Sequence, residues 1–356
     1  MLLNVFRRNG VLERFVKKIR AEEWLGIAAL FGSAVFNSFV FQNDFSPREV
    51  FELMVRYFTF GDYFFGAFVL FIYCLCFFKF YIKLAKIVSD RIVKKIPFPK
   101  GSSRELVRHL FEPLRAALPL ALLSIPIYTL LSNFNYAFRF QGKDHLLLFL
   151  DQKMTGTIPF LVLPTAFPED WVTTLLYVYY ISLTAVLSFL LIFLSLQKSI
   201  ILFRKAMVAF MISTLIAFCF FYFIPCQDPN NTYIRNIRSI AISPEMKASL
   251  EEYRPSEKTK KIIEGIARSE TNTNRENTVP VSCFPSMHAT WSFLTVYFLT
   301  VLLPWSLLVS LPWLILLLLG GVYFAQHYVI DYLIAVPVAM ISLWISHKLI
   351  HWKERR

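Results

Sequence analysis

The sequence predicts an all-α protein, a polytopic membrane helical bundle of about eight transmembrane helices, since its apolar runs approach the ~20 residues that cross a bilayer. Of its 356 residues, 56% are hydrophobic and 37 are phenylalanine, which is more apolar surface than one soluble core would bury. Clusters of Lys and Arg lie between several of the apolar runs. These observations argue against an ordinary soluble domain.

Apolar runs mark the predicted spans. They lie at about 24 to 41, 62 to 82, 116 to 132, 171 to 196, 206 to 224, 289 to 303, 305 to 325 and 328 to 346. Lys79 interrupts the end of the second run, and the third is short and contains Pro119 and Pro126. We therefore expect residues 24–132 to form an N-terminal group of transmembrane helices.

The basic residues predict which side of the membrane each loop faces. They collect in segment 1–23, in 79–115, in 198–205 and in the tail 347–356. With eight spans these four clusters lie on one side, so the positive-inside rule places them and both termini in the cytoplasm. The net charge of +13 is thereby explained without nucleic acid. Segment 1–23 could lie on the membrane as a basic amphipathic helix or remain a solvated charge run.

Two loops on the opposite, extracytoplasmic side are long enough to have structure of their own. Loop 133–170 contains "HLLLFLDQKMTGTIPFLVLP", whose interrupted apolar character predicts a re-entrant or interfacial segment. Loop 225–287 is strongly hydrophilic, and its charge pattern from 244 to 270 predicts helix. Cys226 and Cys283 lie at its two ends and could form a disulfide.

Polar side chains occur at the extracytoplasmic end of the last three spans. "CFPSMHATWSF" begins the sixth span at 283, and "GGVYFAQHYVIDYL" joins the seventh to the eighth. Because only a short turn at Pro304 separates the sixth and seventh spans, His288 and His327 belong to the same membrane face. This inference does not depend on the number of earlier spans.

These side chains suit acid–base and nucleophilic chemistry. On a continuous helix His327 and Asp331 share a face, so the carboxylate would hold the proton of one imidazole nitrogen and leave the other as a lone pair. His288 would protonate a leaving group. Ser286 and the first amides of its helix would bind anionic oxygens, and Pro285 suits a first-turn position.

Alternative interpretations remain for the same residues. Either histidine alone could be an ordinary interfacial side chain, whereas an aspartate in a membrane segment favours function. The two histidines and Asp331 lack an evident fourth ligand for zinc, so we predict no metal and no cofactor. A proton-coupled transporter is a rival, but its ionisable groups would lie near mid-membrane, often in repeated halves.

The motifs resemble those of a known family. "FPSMH" followed by an apolar helix, and then "HYVID", resemble the second and third signatures of the type 2 phosphatidic acid phosphatase (PAP2) superfamily. "FIPCQDPNNTY" at 223–233 is similar to a segment of its inositol phosphorylceramide synthase and sphingolipid synthase branch. The resemblance implies a PAP2-like catalytic core at 133–346. In this core His327 attacks phosphorus, Asp331 supports it and His288 protonates the departing oxygen.

The sequence departs from the family pattern at the phosphate-binding positions. The phosphatases carry an arginine where this chain has Gly321. Their first signature is present as "KASLEEYRP", with Lys247 and Arg254 as candidate phosphate ligands, but it lies inside the hydrophilic loop. Arg235 and Arg238, nearer a helix end, compete for this role.

The resemblance implies an integral membrane enzyme acting on a lipid substrate in the bilayer. We expect transfer of a headgroup from a phosphodiester lipid to an alcohol, with a phosphatidate or polyprenyl-phosphate phosphatase as the alternative. "LDQKMTG" at 150–156 is similar to a segment of bacterial members. Alternatively, Asp151 could simply cap or anchor the interfacial segment.

Overall fold

The computed structural model describes residues 19–40, 142–197, 199–235, 243–273 and 283–354, together with isolated residues between 78 and 90 and between 112 and 119. Within these ranges the chain forms helices and turns and contains no strand. The predicted all-α class is confirmed for them. The predicted spans at 62–82 and 116–132 fall mostly outside the described residues, as does most of segment 1–23.

The helices with complete bounds are numbered here in chain order. They are α1 Ala21–Val40, α2 Asp144–Thr155, α3 Pro159–Ala166, α4 Asp170–Ile181, α5 Leu183–Leu196, α6 Ile201–Phe223, α7 Pro244–Glu252, α8 Glu257–Thr273, α9 Met287–Leu302, α10 Leu307–Tyr323 and α11 Val329–Glu354.

Four helical segments in the described part of the chain are long and apolar enough to cross a membrane. They are Asp170–Ser195, Ile201–Phe223, Pro304–Tyr323 and Val329–His351. Each coincides with a predicted span, and α9 is a shorter apolar helix of 16 residues at another. Helix α1 covers the first predicted run but is not among the four. A total of eight spans therefore remains a prediction.

Helices α2 and α3 form a bent pair in the loop predicted to be re-entrant. The two axes meet at 58°, as a broken span or a re-entrant loop would. Gly156 ends α2 in the left-handed conformation, with φ of 71°, and donates its N–H to Gln152 O at 2.8 Å. Pro159 then starts α3, where its missing amide proton is no loss.

The core lies between α5, α6, α9 and α11. Leu190, Phe203, Phe210 and Phe298 are buried in one cluster contributed by these helices. Helix α6 packs most extensively on α11, and α9 packs on both. The start of α9 is thereby fixed beside the start of α11, which is the condition for a shared site.

The hydrophilic loop is helical where its charge pattern predicts helix, and the helix is divided into α7 and α8. The Ser243 hydroxyl caps α7 by accepting the Met246 N–H at 3.2 Å. Helix α8 packs on α4, where Thr173 Oγ1 lies 2.9 Å from both Thr259 Oγ1 and the Tyr323 hydroxyl. This buried hydroxyl cluster joins the loop to the end of α10.

Candidate active site

Helix α9 begins with a serine cap. The Ser286 hydroxyl accepts the Ala289 N–H at 3.1 Å, and Met287 is the first helical residue. Pro285 therefore precedes the cap, and the prediction that it occupies the first turn is wrong. His288 lies in the first turn, so its side chain is at the N-terminal end of α9.

His327 and Asp331 are in contact, as predicted. His327 Nδ1 lies 3.2 Å from Asp331 Oδ2. The expected continuous helix is wrong, because α11 begins only at Val329 and His327 lies in the preceding turn. The contact forms because Asp331, in the first turn of α11, folds back and accepts the Tyr328 N–H at 2.9 Å.

Asp151 fixes the same helix end from another part of the chain. Its two carboxylate oxygens accept the N–H groups of Val329 and Ile330, each at 2.9 Å, and the side chain is fully buried. These are the first amides of α11, which have no partner within the helix. The sequence suggested a cap or anchor within the interfacial segment, whereas Asp151 caps a distant helix.

The other nitrogen of His327 faces the start of α9. Ser286 Oγ lies 3.2 Å from Nε2, and the His288 and His327 rings are 5.8 Å apart between centroids. Tyr180 stacks on His288 at 5.1 Å and 19°. The structure thus brings together Ser286, His288, His327 and Asp331, while His288 remains exposed.

Cys283 completes the buried cluster, and sequence reasoning gave it no role in the site. Its thiol donates to Asp331 Oδ2 at 3.0 Å and lies 3.6 Å from His327 Nδ1. Cys226 and Cys283 are both free, so the structure contains no disulfide between them. The sequence did contain one signal for Cys283, which directly precedes the "FPSMH" motif whose residues were already assigned to the site.

Cys283, His327 and Asp331 are also the residues that could hold a metal ion. Their donor atoms lie within 4.8 Å of one another, and no fourth His, Cys, Asp or Glu of the described residues joins them. Burial lowers the pKa of His327 to about 3 and raises that of the Cys283 thiol well above its usual value. Both side chains are therefore uncharged near neutral pH, so that His327 keeps a lone pair.

Gly321 borders the site beside the His327 ring. A Cβ atom placed on Gly321 would overlap with the Tyr332 hydroxyl, and it would lie 3.4 Å from His327 Cδ2 and from Tyr180 Cε2. The Tyr332 and His327 rings are 5.7 Å apart between centroids, so the Tyr332 hydroxyl is a further polar group beside the site. No sequence pattern indicated that Tyr332 lies there.

The predicted phosphate-binding cations do not contact this cluster within the described residues. Lys247 and Arg254 are exposed, and the Arg254 guanidinium donates to Tyr253 O at 3.0 Å. Arg235 donates to Asn231 Oδ1 at 2.9 Å. Arg238 is outside the described residues. Phosphate binding by any of them therefore stays a prediction.

Comparison with known protein families gave a match over much of the chain. A family model described as the PAP2 superfamily matches residues 145–345, which is more than half of the chain and contains all four clustered residues. No curated protein and no solved structure gave a significant match.

Proposed function

The chain belongs to the PAP2 superfamily, and from this we propose that it is an integral membrane lipid phosphotransferase. It transfers a phosphorylated headgroup from a phosphodiester lipid to an alcohol, as an inositol phosphorylceramide synthase does, through a phosphohistidine on His327. The observation that carries the proposal is the arrangement of His327, with Nδ1 against Asp331 and Nε2 facing the start of α9.

In the first step His327 Nε2 attacks phosphorus and the bond from phosphorus to the lipid alcohol breaks. Asp331 accepts the Nδ1–H bond, which keeps the lone pair on Nε2 and stabilises the positive charge that develops on the ring. His288, 5.8 Å away between ring centroids, gives its proton to the departing oxygen. The phosphoryl group of the substrate binds between the two rings, so that one ring reaches phosphorus and the other reaches the departing oxygen.

In the second step the acceptor alcohol attacks the phosphohistidine. His288, now neutral, takes the alcohol proton, the new phosphorus–oxygen bond forms and the bond to Nε2 breaks. His327 is released with its lone pair, and His288 is again protonated. A water molecule in place of the alcohol would make the enzyme a phosphatase.

Ser286 is the alternative candidate for the nucleophile. Its hydroxyl is 3.2 Å from His327 Nε2, so the chain Ser286, His327 and Asp331 also has the order of a serine-nucleophile triad. We assign Ser286 to the phosphoryl oxygens, because its Oγ already accepts the Ala289 N–H as the cap of α9. The acid stability of the phosphoenzyme separates the two, because a phosphohistidine hydrolyses in acid whereas a phosphoserine survives.

The substrate class follows from the charges near His327. A phosphomonoester carries up to two negative charges near neutral pH, whereas a phosphodiester carries one. Gly321 supplies no cation, and no Lys or Arg among the described residues pairs with the cluster. This favours the diester, with a lipid phosphate phosphatase as the alternative. Proton-coupled transport is less favoured, because the ionisable groups gather at one end of the helices.

We infer that the site lies on the extracytoplasmic face. Lys and Arg collect in segments that the predicted topology assigns to the opposite face, including 198–205 between α5 and α6. Lipid donor and acceptor then reach the site laterally from the bilayer. In this arrangement the hydrophilic loop with α7 and α8 covers the outside.

The test is a substrate panel with the purified chain in lipid nanodiscs. Labelled phosphatidylinositol, phosphatidylcholine and phosphatidate are supplied with ceramide, diacylglycerol or no acceptor, and the products are separated. We expect a new phosphodiester lipid in the presence of an acceptor and no need for added metal. Release of inorganic phosphate from phosphatidate, with no diester product, would establish the phosphatase instead.

A further inference from the structure

Three side chains of the site have the spacing of zinc ligands. Cys283 Sγ, His327 Nδ1 and Asp331 Oδ2 form a triangle with edges of 3.0, 3.2 and 3.6 Å. Tetrahedral zinc with bonds of ~2.3 Å to sulfur and ~2.0 Å to nitrogen and oxygen places its ligands about 3.3 to 3.6 Å apart. A zinc ion fits the triangle if atoms move by a few tenths of an ångström.

A second observation points to a cation at the same place. Asp331 Oδ1 is buried and has no hydrogen-bond partner among the described residues. No Lys or Arg in that part of the chain pairs with Asp331 either, and a buried carboxylate without a cation is costly. Zinc bound by the Cys283 thiolate and this carboxylate would form an electrically neutral unit, so burial would not oppose it.

We propose that Cys283, His327 and Asp331 form an inhibitory zinc site. Zinc binding releases the thiol proton to solvent and takes the lone pair of His327 Nδ1. The proton that Nδ1 held moves to Nε2, so Nε2 no longer has the lone pair needed to attack phosphorus. The fourth zinc ligand is water or Asp331 Oδ1. Zinc binding at Nδ1 and attack on phosphorus by Nε2 therefore exclude each other, although the two nitrogens are on opposite edges of the imidazole.

The site differs from a catalytic zinc centre. The three ligands hold the metal on the Asp331 side of the imidazole, away from the edge that faces Ser286 at 3.2 Å. A metal there cannot polarise a phosphoryl group bound at Nε2. Zinc removal is thus expected to raise activity, which is the opposite of the result for a zinc-dependent hydrolase.

Metal binding is tested first, without any assay of activity. The full chain is stripped of metal in detergent and titrated with Co²⁺, which replaces zinc and reports its ligands spectroscopically. We expect a thiolate-to-cobalt charge-transfer band and tetrahedral d–d bands at one equivalent, both removed by Zn²⁺. Cys283→Ser should abolish the charge-transfer band and weaken Zn²⁺ binding by at least about tenfold. Cys219→Ser, which changes an exposed thiol, is the matched control.

The inhibition is tested next, and this part rests on the proposed function. Buffered free Zn²⁺ should inhibit headgroup transfer by the wild-type chain, and a chelator should restore it. The fraction inhibited at a given free Zn²⁺ should fall in Cys283→Ser, whatever its basal rate. An inactive protein that still shows the cobalt–thiolate band would overturn the proposed function and keep the site.

Three results would overturn the zinc site. They are a wild-type cobalt spectrum without thiolate character, equal Zn²⁺ affinity of wild type and Cys283→Ser, and activity that is unchanged or increased when zinc is bound. The wild-type spectrum decides the matter if Cys283→Ser does not fold.

Discussion

The Tyr332 hydroxyl occupies the space in which a Cβ atom of Gly321 would lie. Apart from that hydroxyl, the nearest atoms to this point, His327 Cδ2 and Tyr180 Cε2, are 3.4 Å away, which is an ordinary van der Waals distance. A glycine here therefore makes room for one oxygen beside the His327 ring, and the phenol supplies a neutral hydroxyl there.

Gly321→Ala should be strongly harmful, and Tyr332→Phe should rescue it. The alanine methyl overlaps with the hydroxyl in the wild type, and overpacking of this kind costs ~1 to 3 kcal/mol. In Tyr332→Phe the hydroxyl is absent, so the methyl has space. A double-mutant cycle on thermal stability in detergent measures the coupling. Additive effects of the two changes would show that the hydroxyl does not lie beside Gly321.

His327→Ala should abolish both turnover and the phosphoenzyme, because the nucleophile is removed. His288→Ala should lower turnover of a lipid diester by about 10²- to 10⁴-fold. The latter variant should still be labelled by a substrate whose leaving group needs no proton. Rapid-quench kinetics with a lipid radiolabelled in its headgroup measures both turnover and the phosphoenzyme. The radiolabel on the protein should be lost in acid.

Asp331→Asn is the companion of these variants. The amide no longer favours a proton on Nδ1 and a lone pair on Nε2, so turnover should fall by about 10²-fold or more. Full activity in His327→Ala or in Asp331→Asn would exclude the proposed nucleophile. An acid-stable label would assign the nucleophile to Ser286.

The sequence was sufficient to predict the site where the relevant residues are close in the chain. His327 and Asp331 are four residues apart, so they are close even though His327 precedes α11, and the short turn between α9 and α10 brings His288 to the same end of the helices. Cys283 and Tyr332 are within a few residues of these motifs, but their contacts depend on side-chain direction across helices. Asp151 caps α11 from 178 residues away in the chain, and no local pattern reports such a contact.

Asp151→Ala should lower stability and turnover together. Two charge-assisted hydrogen bonds to the start of α11 are lost, and bonds of this kind contribute ~1.5 to 3 kcal/mol each. Because α11 begins two residues after His327, we expect kcat to fall more than KM rises, since substrate contacts remain while the nucleophile is displaced. Asp151→Asn, which keeps one carbonyl acceptor, should be intermediate in both measurements.

Asp170→Ala is the matched control for this prediction. It also removes an acidic residue from the first turn of a helix, α4, but an exposed one. Its effect on stability should be a few tenths of a kcal/mol, as for a surface helix-dipole interaction. Equal losses in Asp151→Ala and Asp170→Ala would show that the buried cap has no special importance.

The orientation of the chain can be tested at Gly265. This residue is exposed on α8, and a Cβ atom there meets nothing within 4 Å, so Gly265→Cys should be tolerated. Ser256 is a poorer site, because its hydroxyl accepts the Thr259 N–H at 3.1 Å. With Cys74, Cys76 and Cys219 replaced by Ser, an impermeant maleimide should label Gly265→Cys in intact cells. Labelling only after permeabilisation would place the site in the cytoplasm.

The relative turnover of phosphodiesters and phosphomonoesters distinguishes a phosphotransferase from a phosphatase. The wild-type chain should have a higher kcat/KM for phosphatidylinositol than for phosphatidate, because no cation among the described residues balances the second charge of a monoester at His327. Gly321→Arg combined with Tyr332→Gly should reverse this preference, since removal of the phenol makes space for a guanidinium beside the His327 ring. A buried charge-assisted contact of ~1.5 to 3 kcal/mol corresponds to roughly ten- to a hundredfold in relative kcat/KM. Gly321→Gln with Tyr332→Gly is the control, because it fills the same space without charge and should leave the preference for the diester. The contrary result is efficient hydrolysis of phosphatidate by the wild-type chain, with the same substrate ratio in both double variants. The charge at this position would then not select the substrate. A cation of the hydrophilic loop, such as Arg254, Lys247 or Arg235, would bind the phosphate instead.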